Sequence, residues 1–408
     1  MVKVKVPWAA WTDSEDFVLQ FPDSWKLSVH PIRDAKDLSE RQVKQAVLNP
    51  IGTNALREIA KGKKTAAIVV DDMTRMTPAH RILPFIINEL EQAGIAKKDM
   101  VIIIALGAHR PLTRADMILK LGEPIVNSMN IQNHHPYENL VDLGKTKNGT
   151  PIHVNKTYYE ADVKIAVSGV IPHPLAGFGG GAKIILPGVC GIETLEANHR
   201  AGMQGGSGLG YVTPAREDIE ETAKIVGLGY SINVILTMRG GIAGIFAGDY
   251  IDAHRKAMEL GKQVYGARIP EPGIDIGVFN LYPEDTELNQ ALKGFNFILS
   301  TRKFLKRSCS ILFTSACTEG RGYHSLIAET GAKLFTNWED HIIWKAIFSK
   351  KRQFVFFSPN LNKADIDHLY PKSTIFSRDW DEIIRELSKL HPDQPKVALF
   401  PCSIALPE

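Results

Sequence analysis

Runs of consecutive apolar residues, each of strand length, recur along the chain: TAAIVV at 65–70, MVIIIAL at 100–106, VKIAVSGV at 163–170, INVILTM at 232–238, IDIGVF at 274–279, CSILFTS at 309–315, FVFF at 354–357 and KVALF at 396–400. The runs are continuous rather than alternating, as in strands covered on both faces within a parallel sheet. Helical patterns separate them. Residues 79–93 end at Gly94, residues 113–121 open on the capping pattern Thr113-x-x-Asp116 and stop at Gly122, and residues 250–265 end at Gly266. Strands alternating with helices predict an α/β fold. Right-handed crossovers would leave the C-terminal ends of the strands along one edge, where such sheets bind ligands.

The Gly- and Pro-rich stretch GARIPEPGID at 266–275 is the best linker candidate. It divides the chain into two Rossmann-like α/β domains with mainly parallel sheets, 1–266 and 274–390, with an active site expected in the cleft between them. Residues 391–408 form a terminal segment whose strand-like run at 396–400 can pair with either domain. A length of 408 residues suits two cores.

Composition narrows the class. Hydrophobic residues make up 44% and charged residues 23%, and the net charge is only +3, which fits a globular enzyme. No run of five or more Lys or Arg occurs, so no nucleic-acid partner is expected. There is no 18-residue apolar stretch and no secretory h-region at the start, so no membrane partner is expected and a cytoplasmic location is. Cys190, Cys309, Cys317 and Cys402 form no CxxC pair and read as buried free thiols.

Three of the predicted strand ends carry chemistry. DDMTRMTP follows the first run and holds Asp72, Thr74 and Arg75; the arginine fork suits a carboxylate or phosphate, or else merely ties the loop to the next helix. GAHRPLT places His109 just past a strand, where a histidine can move protons near neutral pH or be idle. HPLAGFGGGAKIILPG brackets His173 with Pro172 and Pro174, then runs through Gly177, Gly179, Gly180 and Gly181 to Lys183. Ala182 and Ile184 break the Walker A pattern, and GGSGLG at 205–210 lacks the dinucleotide spacing. What remains is a binding loop whose lysine can pair with an anion or attach a ligand covalently. His199 lies 16 residues further on, on a predicted helix over 191–200, as a metal ligand or a surface histidine. The adjacent histidines of HHP at 134–136 are a weaker metal candidate. In ELNQALKGF at 287–295, Gln290 and Lys293 share one helix face and suit a substrate carboxylate or simply solvent.

Taken in order, DDMTRMTP, GAHRPLT, HPLAGFGGGAKIILPG and NHR resemble the lactate racemase family that uses a nickel-pincer nucleotide. The resemblance implies a racemase or epimerase of a 2-hydroxy acid, lactate or a related acid, working by reversible hydride transfer from C2. It implies a cofactor, pyridinium-3-thioamide-5-thiocarboxylic acid mononucleotide carrying nickel, attached covalently at Lys183, with His199 as the protein's ligand to the metal. His109 and His173 match the two general acid/bases. Arg75, Gln290 and Lys293 match residues around the substrate carboxylate, and Asp72, Thr74, Gly179, Gly180 and Gly181 are expected to lie against the cofactor. Enzymes that build the cofactor are the implied partner proteins. Asn289 departs from the aromatic residue of lactate-specific members, so the reaction class is firmer than the substrate. The alternative is a protein that binds or carries a nucleotide-like ligand without catalysis.

Overall fold

The computed structural model describes residues 1–12, 15–204, 208–326 and 351–408. The first residues of GGSGLG, and positions 327–350 of the expected second domain, lie outside them. The chain folds into two compact units, one of Met1–Asp34, Tyr265–Tyr323 and the C-terminal stretch to Glu408, the other of Ala35–Val264 with a short stretch beginning at His324.

The larger unit is built on a six-stranded sheet in the order Ile242–Gly248, Tyr230–Leu236, Val163–Gly169, Ala66–Asp71, Met100–Ala105, Asn130–Asn133. Five strands are parallel, and Ile242–Gly248 runs antiparallel along one edge. Strand Ala66–Asp71 is buried at every position, which explains its unbroken apolar pattern. Ala67, Val69, Ile103 and Ala166 pack with Ile219, Ala223 and Val226, three positions on one stripe of helix Pro214–Val226. Thr113 and Asp116 form the expected capping box on helix Arg114–Leu121. The predicted 79–93 helix begins as a 3-10 turn, Ala79–Arg81, before helix Leu83–Gln92, which carries Pro84 in its first turn, where a missing N–H costs nothing.

From Ala66–Asp71 the chain winds outward through Met100–Ala105 to Asn130–Asn133, then returns to the other side of Ala66–Asp71 as Val163–Gly169. Strand order therefore reverses between Ala66–Asp71 and Val163–Gly169, and open α/β sheets bind ligands at the C-terminal ends of such a pair. The loops that follow these two strands carry Asp72 and His173.

The second unit has its own six-stranded parallel sheet, in the order Ile375–Ser377, Arg352–Phe357, Leu305–Thr314, Ile274–Asn280, Lys396–Phe400, Lys26–Val29. The expected 1–266 domain is corrected here, because Met1–Asp34 belong to this unit. Lys26–Val29 adds a parallel strand beside Lys396–Phe400, and Val6, Leu19 and Phe21 of the hairpin Val2–Val6 and Phe17–Phe21 sit in a core with Trp380, Ile383 and Leu399. The segment 391–408 belongs to the same sheet through Lys396–Phe400. All four cysteines are free and buried, as their spacing predicted.

Candidate active site

Asp71 and Asp72 end a buried strand side by side, and each carboxylate must find partners to be tolerated there. Asp71 takes hydrogen bonds from Thr77 Oγ1 at 2.6 Å and from the Gly169 N–H at 2.7 Å, which ties the first loop to the neighbouring strand. Its other oxygen is ion-paired at 2.6 Å with Lys120, whose side chain is fully buried. Lys120 Nζ also donates to the carbonyls of Asp72 and Arg75, at 2.8 and 2.6 Å, so this lysine holds the DDMTR loop from beneath. Replacing Lys120 with Met leaves Asp71 with an uncompensated charge. The expected cost is about 3–5 kcal/mol of unfolding free energy, read by urea denaturation of the apo-protein, and a loss of about 1 kcal/mol or less would show that Asp71 finds other partners.

Asp72 Oδ1 accepts from the Thr74 N–H at 3.0 Å and from its hydroxyl at 2.5 Å, while Oδ2 lies 2.5 Å from His109 Nδ1. Burial pushes the Asp72 carboxyl up, but the His109 ring, the Thr74 hydroxyl and the Arg75 charge outweigh it and hold the group well below the usual carboxylate range. Since the carboxylate accepts at Nδ1, the His109 proton sits on Nδ1 and the Nε2 lone pair faces away. Arg75 Nη1 donates to the Thr74 carbonyl at 2.8 Å. Asp72, Thr74, Arg75 and His109 are thus gathered into one cluster from two loops.

His173 lies on a two-residue strand, Pro172–His173, paired with Gly177–Phe178. Its Nδ1 accepts the N–H groups of Leu175 and Ala176, both at 3.2 Å, so its proton sits on Nε2. Lys183 follows on the 3-10 turn Gly181–Ile184, half-buried, with its N–H bonded to the Gly180 carbonyl at 3.1 Å. Gly180 and Gly181 have φ of 72° and 56°. A Cβ at Gly180 would stand 2.4 Å from Val170 Cγ2, and one at Gly181 would stand 2.9 Å from His254 Cδ2. The loop is pressed onto protein at both positions, so packing alone is a sufficient cause for these glycines. Gly179, also buried, approaches the Gly169 carbonyl in the same way.

His199 lies on helix Ile192–Gln204 and bonds through Nδ1 to the Leu195 carbonyl at 2.8 Å, leaving Nε2 as a lone-pair donor. Burial, reinforced by the positive charge of Lys183, pushes its pKa down to about 4. The ring is therefore neutral, as a metal ligand must be. His134 is neutral for similar reasons, pushed to about 4 by burial, but its Nε2 is bonded to the Cys190 carbonyl at 2.9 Å, deep in the core. Gln290 and Lys293 lie in the other unit. Gln290 Nε2 donates to Glu287 at 3.3 Å, and Lys293 is ion-paired with Glu284 at 3.1 Å.

Residues 13–210 match the lactate racemase N-terminal domain. Over 300 residues the chain is 31% identical to the lactate racemase of Lactiplantibacillus plantarum, spanning 71% of this chain and 70% of that one. The chain belongs to the lactate racemase family. It is an isomerase of the racemase class. The lactate racemase of Thermoanaerobacterium thermosaccharolyticum is similar to the same degree, 31% over 286 residues, covering 69% of this chain and 66% of that enzyme. The apoprotein structure from that organism matches this member of the family over 100% of both chains with a TM-score of 0.80 at 24% identity, a likeness of fold. A structure from Thermotoga maritima matches at a TM-score of 0.69 and 18% identity, over 92% of this chain and 99% of the other.

Three residues of this racemase-family site escape a reading of motifs. His324 forms an isolated bridge with His109, their rings 5.1 Å apart edge to face, and Lys120 and Arg216 hold site loops from below. The signal for Lys120 lies in the paired acids Asp71 and Asp72, which need a counter-charge once the strand is known to be buried. For Arg216 the signal is a charged residue on the apolar stripe it shares with Ile219, Ala223 and Val226.

Proposed function

We propose that this chain racemises or epimerises a 2-hydroxy acid, lactate or a close relative, with His109 and His173 as the two acid/bases. The observation that carries the reading is the complementary state of the two rings. His109, with Nδ1 held by Asp72, offers a lone pair at Nε2; His173, with Nδ1 accepting two backbone N–H groups, offers a proton at Nε2.

The residues fit a nickel-pincer nucleotide. Lys183 offers a primary amine for covalent attachment, and His199 offers one neutral nitrogen with its ring fixed by the Leu195 carbonyl, the arrangement of a preset metal ligand. Among the described residues no group of three or more His, Cys, Asp or Glu stands ready to cage an ion, so a metal at His199 would draw its remaining donors from a cofactor. When bound, that cofactor supplies a reversible hydride acceptor for C2 of the substrate.

The chain's own residues supply the rest. His109 Nε2 takes the proton of the C2 hydroxyl, and the Asp72 carboxylate stabilises the imidazolium that results. On the return, His173 Nε2 gives a proton to the carbonyl oxygen of the planar 2-keto acid, whose opposite face now receives the hydrogen at C2. Arg75 orients the substrate carboxylate with its guanidinium.

The test is to produce the protein alongside cofactor-making enzymes, supply one enantiomer of lactate in deuterated water, and follow the other by chiral chromatography and mass spectrometry. Interconversion with protium retained at C2 is expected. Deuterium at C2 would replace hydride transfer with proton abstraction at carbon. A loaded protein that interconverts no 2-hydroxy acid would be a ligand carrier instead.

A further inference from the structure

We propose that Arg216 is a positioning residue of the active site, holding by their backbone carbonyls the residues that carry His173 and Lys183. The role given to those two residues rests on the reading above; the contacts of Arg216 do not. Arg216 is 1% exposed, in the first turn of helix Pro214–Val226. A guanidinium at that depth needs acceptors for its five N–H groups, and the nearest carboxylate, Glu220, stands 3.9 Å away and is shared with Arg255.

The acceptors are instead the carbonyls of the glycine loop. Arg216 Nε reaches Ala176 O at 3.4 Å, Nη1 reaches Gly180 O at 3.1 Å, and Nη2 reaches Phe178 O and, at 3.2 Å, Gly179 O. Nη2 also lies 3.0 Å from His254 Nε2, and that nitrogen is 2.8 Å from Gly179 O. Apart from the buried Phe178 ring, this segment offers only its backbone to be held by. Among the described residues the Phe178 carbonyl takes its bond from Arg216 alone, and without it the Ala176, Gly179 and Gly180 carbonyls would each be left with a single partner, respectively the Phe178 N–H, His254 Nε2 and the Lys183 N–H. The planar fork of an arginine meets several at once, which a lysine cannot do.

Two short paths lead from this clasp to the chemistry. The Gly180 carbonyl that accepts from Arg216 also accepts the N–H of Lys183 at 3.1 Å. Ala176, whose carbonyl accepts from Nε, donates its N–H to His173 Nδ1 at 3.2 Å. One residue, Gly180 or Ala176, thus links the guanidinium to each of Lys183 and His173. The clasp fixes where the Lys183 backbone starts and which nitrogen of His173 keeps its proton.

The experiment compares Arg216→Met and Arg216→Lys with Ile219→Ala, a truncation of a buried residue on the same helix whose side chain has no hydrogen-bond donor to offer the four carbonyls. Two readouts are taken: peptide-mapped labelling of Lys183 by trinitrobenzenesulfonate on apo-protein, and the fraction of protein carrying added cofactor mass after production with cofactor-making enzymes. Arg216→Met is expected to change the Lys183 labelling rate and to lower the loaded fraction, each by about tenfold or more, with Arg216→Lys between it and the parent. Ile219→Ala, at a comparable loss of thermal stability, is expected to behave as the parent in both. Arg216→Met within about twofold of the parent, or Ile219→Ala reproducing its changes, overturns the proposal. Should Arg216→Met not fold, Arg216→Lys is held to the same twofold limit. A parent that acquires no cofactor mass sinks the cofactor reading, while the labelling rates still decide the role of Arg216.

Discussion

Lys183→Ala is expected to yield a folded protein that gains neither nucleotide mass nor nickel when produced with cofactor-making enzymes, and that turns over no 2-hydroxy acid. Lys183 is half-buried at the end of a clasped loop, so loss of its side chain removes few contacts from the core while removing the amine proposed as the point of attachment. A pure charge role would be kept by Lys183→Arg, whose guanidinium stays protonated and is a poor nucleophile. Equal loss of adduct in both variants assigns Lys183 to covalent attachment. Retention of cofactor mass in Lys183→Arg would make it an electrostatic anchor, and retention in Lys183→Ala would move the attachment elsewhere. His199→Ala is the companion variant: on the proposed reading cofactor mass should persist while nickel falls, because Lys183 would still tether the nucleotide while the nitrogen proposed as the metal's protein ligand is gone.

The strands of both sheets were legible because burial on two faces leaves no alternation to misread, and the eight apolar runs all fall on observed strands. The edge strands were not. Ile242–Gly248 carries two glycines, and Lys26–Val29 is only half apolar, so neither produces the unbroken run by which the central strands are recognised. The placement of Met1–Asp34 was illegible for a different reason. A parallel strand contributed from the far end of the chain leaves no local trace, since its partner Lys396–Phe400 is more than 360 residues away and only the pairing reveals it.

Within the proposed site, the motifs point to candidate ligand-facing residues, and the structure adds those that hold them. Asp72 illustrates the difference. Its acidic character and its distance from His109 in sequence say nothing of which nitrogen it meets, and that contact determines where the His109 lone pair points. The glycines illustrate the opposite error of emphasis. The glycine run reads in the sequence as a loop made to lie against a ligand, but the neighbours that exclude a Cβ at Gly180 and Gly181 are Val170 and His254 of the protein itself.

Asp72→Asn should lower turnover by about 10³- to 10⁴-fold while leaving cofactor mass and nickel unchanged, because it alters the state of His109 and not the attachment. An amide in place of the carboxylate loses the charge that stabilises the His109 imidazolium, and can turn its NH₂ toward Nδ1 and fix the wrong tautomer. The same substitution has a pH signature in stability. The Asp72 carboxyl is held well below the usual carboxylate range in the fold, so its stabilisation is complete above that range and is lost progressively as pH falls from it toward the lower folded value. Thermal unfolding of the apo-proteins should therefore show a gap between parent and Asp72→Asn that is constant near neutral pH, begins to narrow below about pH 4 and is still largely open at about pH 3. A gap that does not narrow in acid would mean that the Asp72 side chain supports the loop by shape alone. Full turnover in Asp72→Asn would remove His109 from its place as the base.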